Sequence, residues 1–197
     1  MSGLTFDAAT HTYRHNGQVV PGVTTVLQPL SNFDAVPPHV LQAASDFGTA
    51  VHLACELDDL GELDEASLGD PLMPYLKAWR KFSAEHNVAW EKIEHQVYHG
   101  TMRFAGTLDR FGLVNGRRTV VDIKSSVQLY PSVGPQLAAY ANALTEPFAD
   151  RMAVQLKADG TYVAKAYTEP SDWPVFCSLL TLRTWCSRHR ITPNFKD

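Results

Sequence analysis

The spacing of hydrophobic residues changes period several times along this chain, and each change marks an element. Residues 4–20 hold two short runs around the His15-Asn16-Gly17 turn signal, which predicts an N-terminal β-hairpin. Pro21-Gly22 ends it, and Val23 to Leu30 reads as a short helix. After Pro37-Pro38, Val40, Leu41, Ala44, Phe47, Val51, Ala54 and Leu57 recur at helical spacing, predicting a helix to about Leu60. Asp70 before Pro71 is a capped helix start, and that helix should run to about His86. Ile93 to Tyr98, Arg103 to Val114 and Arg117 to Lys124 read as strands, the last two joined by Asn115-Gly116. A helix follows over about Val133 to Leu144. Next comes a hairpin of Arg151 to Ala158 and Thr161 to Thr168 about Asp159-Gly160, and then a helix from near Ser171 that ends before Pro193.

That order predicts an α/β fold (an α+β mixed sheet), with a central sheet flanked by helices in one domain. The expected division is hairpin and helices over 1–90, core over 91–170 and C-terminal helix over 171–190.

Composition changes this picture little. With 197 residues, 45% hydrophobic and 19% charged, the chain has the profile of an ordinary globular protein. No apolar run approaches the ~18 residues of a membrane span, and no basic-then-apolar leader opens the chain, so a cytoplasmic protein without a membrane partner is expected. Cys55, Cys177 and Cys186 are too few for the four thiolates of an iron–sulfur cluster and lack paired spacing for disulfides. Cys186 with His189 is half of a zinc site at most, and reads as a buried thiol beside a surface histidine.

Charge is uneven. Residues 1–98 carry 5 Lys/Arg against 13 Asp/Glu, and residues 99–197 carry 12 against 8, within a net −4. The acidic excess, concentrated in Glu56 to Asp70, reads as a solvated helix end and loop. The basic C-terminal half can track phosphates.

The chemistry gathers around one turn. In a two-residue hairpin at Asn115-Gly116, Asp109 lies as far before the turn as Asp122 lies after it. The two carboxylates should therefore face each other across the strands, with Cβ atoms ~5 Å apart. Lys124 projects from the same face as Asp122. Opposed like charges are unfavourable unless something positive offsets them, and a divalent cation with oxygen ligands does so. It would lower the pKa of a bound water, while Lys124 stabilises the attacking hydroxide and charged oxygens. The plain alternative is a pair of surface charges on a hairpin, and a bulge would break the register.

Two more pairs share helix faces. His52 and Glu56 are four apart, and a neutral imidazole there could ligate a metal, although a histidine on a largely apolar helix is more often a core residue. Gln136 and Tyr140 are also four apart, with small alanines between them that let the helix pack close to the sheet. Their amide and phenol can hold a phosphate or anchor an active-site side chain, although such a pair alone is ordinary helix surface.

Taken in order, Gly48-x3-His52, Glu94, Ala105-Gly106-Thr107-Leu108-Asp109, Val121-Asp122-Ile123-Lys124 and Gln136-x3-Tyr140 resemble the nuclease domain of the RecB family, including the phage recombination exonucleases, within the PD-(D/E)XK superfamily. The resemblance spans about Gly48 to Tyr140 and rests on the ordered set, since no single motif is specific. It implies a restriction-endonuclease-like core using one or two Mg²⁺ or Mn²⁺ ions. It further implies that His52, Asp109, Asp122 and the Ile123 carbonyl bind metal and that Lys124 assists the water. Gln136 and Tyr140 would contact DNA or support the site, with Glu94 as a weaker acidic position. Apart from the resemblance, Ser125 beside Lys124 is a further candidate for site support, and Glu56, which begins the acidic run, is a weak one. The expected activity is hydrolysis of DNA phosphodiesters, as an exonuclease on linear double- or single-stranded DNA in recombination, repair or phage DNA processing, in a bacterial or phage-infected cell. The resemblance leaves room for a recombination partner protein and for self-association. The alternatives are a structure-specific endonuclease and a non-catalytic DNA- or protein-binding module on the same fold.

Overall fold

The computed structural model describes residues 3–31 and 36–192. Pro193, expected just beyond the last helix, lies outside them. Three short strands open the chain: β1 (Leu4–Asp7), β2 (Thr12–His15) and β3 (Gln18–Val20), paired antiparallel in that order. The Asn16-Gly17 turn joins β2 to β3, with both residues at positive φ as such a turn requires. The expected hairpin is therefore one half of a three-stranded sheet. Its first strand escapes the turn signal because residues 8–11 carry no Asn-Gly or Asp-Gly pair.

The main sheet has five strands in sequential order: β4 (Ala89–His99), β5 (Phe104–Val114), β6 (Arg117–Lys124), β7 (Asp150–Leu156) and β8 (Tyr162–Ala166). All neighbours are antiparallel except β6 and β7. A parallel pair needs a crossover, and helix α4 (Val133–Ala143) lies between the two in the chain. This is the mixed sheet flanked by helices that the sequence predicts.

One face is covered by α2 (Pro38–Leu60) and α3 (Met73–Glu85), where Val51, Cys55, Trp79 and Phe82 pack on Val121, Ile123, Val154 and Leu156. The other carries α1 (Val23–Leu27), α4 and α5 (Asp172–His189), with Val23, Leu137, Tyr140 and Phe176 on Phe104, Leu108 and Val120. Burying one such aliphatic side chain contributes about 1.5–3 kcal/mol, so these two layers fix the sheet between the helices.

Several expectations change. Asp70 caps nothing: a short 3₁₀ turn, Asp70–Leu72, takes Pro71, and α3 starts after it. The first turns of α2 are helical but leave Val40 and Ala44 exposed; Phe47 is the first of the stripe to pack on the core, and the buried residues are confined to Val51, Ala54 and Cys55. Nor is the acidic run merely solvated. Asp58 pairs with Arg80, while Asp59 accepts from Trp79 Nε1 and from the fully buried Arg110. All three cysteines are free, Cys186 is buried and His189 is exposed. Among the described residues no helix is long and apolar enough to cross a membrane.

Candidate active site

The β5–β6 hairpin keeps the register its turn dictates, from Val114 opposite Arg117 to Arg110 opposite Val121. The backbone ladder stops there. One step further, Asp109 uses its carboxylate in place of a ladder bond, accepting the Ile123 N–H at 2.6 Å. Asp122 is turned to Lys124, whose Nζ lies 2.7 Å from its Oδ2.

His52 enters from α2. Its Nε2–H donates to the Ile123 carbonyl at 3.0 Å, which turns Nδ1 toward Asp109 Oδ2 at 3.6 Å and Glu94 Oε1 at 3.8 Å. One ligand atom from each of His52, Glu94 and Asp109 lies within 4.8 Å of the others, so the three could hold a metal ion. Asp122 stands outside this trio, and Glu94, the weaker acidic position in the sequence, stands inside it.

Glu94 owes its place to the backbone. It has φ 43° in the middle of β4, in the left-handed region that a non-glycine residue rarely adopts, and the β4–β5 pairing lapses between Ile93 and His95. Arg110 holds it there. Nη1 donates to Glu94 Oε1 at 3.0 Å and to the Asp109 carbonyl at 2.7 Å, while Nε donates to Asp59 Oδ2 at 2.7 Å. The guanidinium also lies over the Trp79 ring, 5.6 Å from its centroid. Neither Arg110 nor Asp59 carries a sequence motif. An arginine flanked by Asp109 and Phe111 in a strand was the one available signal, since such a side chain, if buried, needs carboxylate partners.

Burial lowers the pKa of His52, but Asp109 and Glu94 outweigh it and hold the imidazole up at about 9. Burial, reinforced by Asp109 and opposed by Lys124, pushes Asp122 up to about 6. For Lys124 burial pulls down, and Asp122 with Asp109 overcomes it, so the ammonium stays charged. Glu56, one turn from His52, is raised first by burial and then by Glu94, and it is not part of the trio.

The α4 residues reach the same place. Gln136 Oε1 lies 3.5 Å from Lys124 Nζ, and its Nε2 donates to the Tyr140 hydroxyl at 3.4 Å. Tyr140 is buried against Gly106, where an added Cβ would come within 2.7 Å of its ring. Ser125 is half-buried at the end of β6, its Oγ 3.5 Å from where a Cβ on Gly48 would stand. Tyr167, which no motif marks, has a buried hydroxyl without a hydrogen-bond partner among the described residues and feels both Asp122 and Lys124.

A cation fits this donor set. Both Asp122 oxygens are buried without an aligned hydrogen-bond donor, because Lys124 Nζ meets Oδ2 as an ion pair off the hydrogen-bond direction. Three carboxylates and an imidazole converge on a cleft of about 470 Å³ that His52, Glu94, Asp109, Asp122 and Lys124 help to line. Oxygen-rich sets of this kind suit a hard divalent cation.

No protein-family model matches the sequence, and no curated protein matches it. Among solved structures, the crystal structure of SSO0001 is 18% identical with a TM-score of 0.37, over 73% of this chain and 75% of that one. The crystal structure of LHK-Exo in complex with dAMP is 13% identical with a TM-score of 0.40, over 87% and 89%. At these values neither likeness bears on the chemistry of this chain.

Proposed function

We propose that the chain is a divalent-cation-dependent deoxyribonuclease, residues 1–197 acting as one PD-(D/E)XK nuclease domain of the RecB-like branch. The observation that carries this reading is the convergence of His52, Glu94 and Asp109 within 4.8 Å, beside buried Asp122 and half-buried Lys124 paired at 2.7 Å. Mg²⁺ or Mn²⁺ bound there would lower the pKa of a coordinated water and offset charge on the scissile phosphate.

The chain's own groups do the rest. His52 Nδ1, Glu94, Asp109 and Asp122 offer the ligands, and the Ile123 carbonyl has a lone pair left beside its bond from His52. Lys124, held charged, is a donor rather than a base: it faces the non-bridging phosphate oxygens or the nucleophile and stabilises negative charge on them. Gln136, itself bonded to the Tyr140 hydroxyl, accepts from the ammonium, and Ser125 at the strand end can reach a neighbouring phosphate. One P–O ester bond of DNA breaks, with water supplying the new oxygen.

Exonuclease action on linear DNA, in recombination, repair or phage DNA processing, is the finer form of the proposal. Incubation with end-labelled linear DNA and covalently closed circular DNA, with Mn²⁺ or with chelator, tests it. Cation-dependent loss of the linear substrate alone supports an exonuclease, nicking of the circle supports a structure-specific endonuclease, and inertness toward both contradicts the activity.

A further inference from the structure

The cleft has a second wall that the metal chemistry does not use. Phe6, Ala8, His11 and Tyr13 from the N-terminal three-stranded sheet line it together with His52 and Asp109. The Phe6 ring stacks on Tyr13 with centroids 4.5 Å apart, and His11 stands edge-on to Phe6 at 5.2 Å. Tyr13 is buried, whereas Phe6 is half-buried and His11 exposed, so Phe6 and His11 are the rings open to the cleft.

This small sheet is fastened to the catalytic strands. The Tyr13 hydroxyl bonds Thr107 Oγ1 at 2.9 Å, two residues from Asp109. The Ala105 N–H donates to the Pro21 carbonyl at 3.0 Å, His15 stacks on Tyr98 of β4, and Arg103 donates to Gln18. The β1–β2 turn is shaped as well: Asp7 accepts from the N–H groups of Ala9 and Thr10, and His11 follows at φ 48°. Aromatic surface is thus held at a set place beside an acidic, phosphate-directed site.

Accessible aromatic rings beside a backbone-cleaving centre suit nucleobases, which stack on them irrespective of sequence. Bases inside a duplex have no free faces. We propose that Phe6 and His11 form a stacking platform for an unpaired nucleobase next to the scissile phosphate, making single-stranded DNA or a frayed end the substrate. This rests on the nuclease reading above and names its substrate class.

The test uses the full chain with Ca²⁺ and a 12-nucleotide single strand bearing 2-aminopurine at either end, against the matching duplex. Wild type should bind the single strand and quench one terminal 2-aminopurine. His11→Ala and Phe6→Leu should weaken that binding by roughly 5- to 150-fold, the range given by losing one base–aromatic stack. Both should lose the quench and weaken binding of the duplex, which reaches the platform only through its frayed ends, by a smaller factor. Phe6→Trp should retain quench and affinity, which separates stacking from a folding defect. Variants that bind and quench like wild type, or that lose single strand and duplex equally, overturn the platform while cation-dependent cleavage by wild type leaves the nuclease reading standing. A wild type that neither binds nor cleaves DNA overturns both.

Discussion

Arg110 Nη1 donates to Glu94 Oε1 at 3.0 Å, from a side chain with no exposed surface. The same carboxylate oxygen faces His52 Nδ1, so one buried cation positions one corner of the candidate metal trio. Asp59, on the last turn of α2, accepts from the other side of the guanidinium and ties that helix to β5.

Removing the guanidinium strands these carboxylates. Arg110→Met should cost about 3–5 kcal/mol, the usual loss when one partner of a buried ion pair is deleted. Urea denaturation of wild type and variant measures it. A difference below about 1 kcal/mol would show that the network is not structural.

Cation binding should be coupled to a proton. With His52 held at about 9 in the cation-free protein, its imidazole is charged at pH 7.5, and a metal on Nδ1 must displace a proton. Affinity for Mn²⁺ should therefore rise with pH up to about 9, and level off above it. Calorimetry at pH 7.5 in two buffers of different ionisation enthalpy should report about one proton released per ion bound. In His52→Gln the release should vanish; equal release in the variant would remove His52 from the ligand set.

Two glycines in the motifs should respond oppositely to alanine. At Gly106 a Cβ would meet the Tyr140 ring at 2.7 Å and Val23 Cγ2 at 3.0 Å, both deep in the core. Gly106→Ala should cost about 1–3 kcal/mol as an overpacked site and displace Tyr140 from Gln136. At Gly48 the nearest atom is Ser125 Oγ at 3.5 Å, an ordinary contact, and the position is inside α2. Gly48→Ala should be neutral or stabilising by up to about 1 kcal/mol, through helix propensity. Thermal or urea melts of the two variants read the contrast, and a destabilised Gly48→Ala would contradict it.

Features set by short-range chemistry were legible in the sequence. The Asn115-Gly116 turn fixes the hairpin register, and β6 spans Arg117–Lys124 as read, because a tight turn leaves the strands no choice of partner. Lys124 beside Asp122 follows from the two-residue strand period. What depends on long-range docking was not legible. Glu94 joins the trio through a positive φ that no residue type announces. Asp59 looked like one more acid in a solvated run until α2 packed it on Arg110. The facing aspartates were legible as far as the turn register reaches, to Arg110 opposite Val121, and Asp109 does act on the Asp122 carboxyl. What the register does not show is that Asp109 bonds the Ile123 N–H and Asp122 pairs with Lys124.

The most direct test of the central claim is release of end-label from linear DNA in Mn²⁺ by wild type, Asp109→Asn and Lys124→Ala, with folding checked by circular dichroism. We expect cation-dependent release by wild type and a loss of at least about 100-fold in each variant, the scale seen when one charge-stabilising group is removed from an active site. Release by a folded Lys124→Ala variant at the wild-type rate, or none by wild type with any divalent ion, would contradict it.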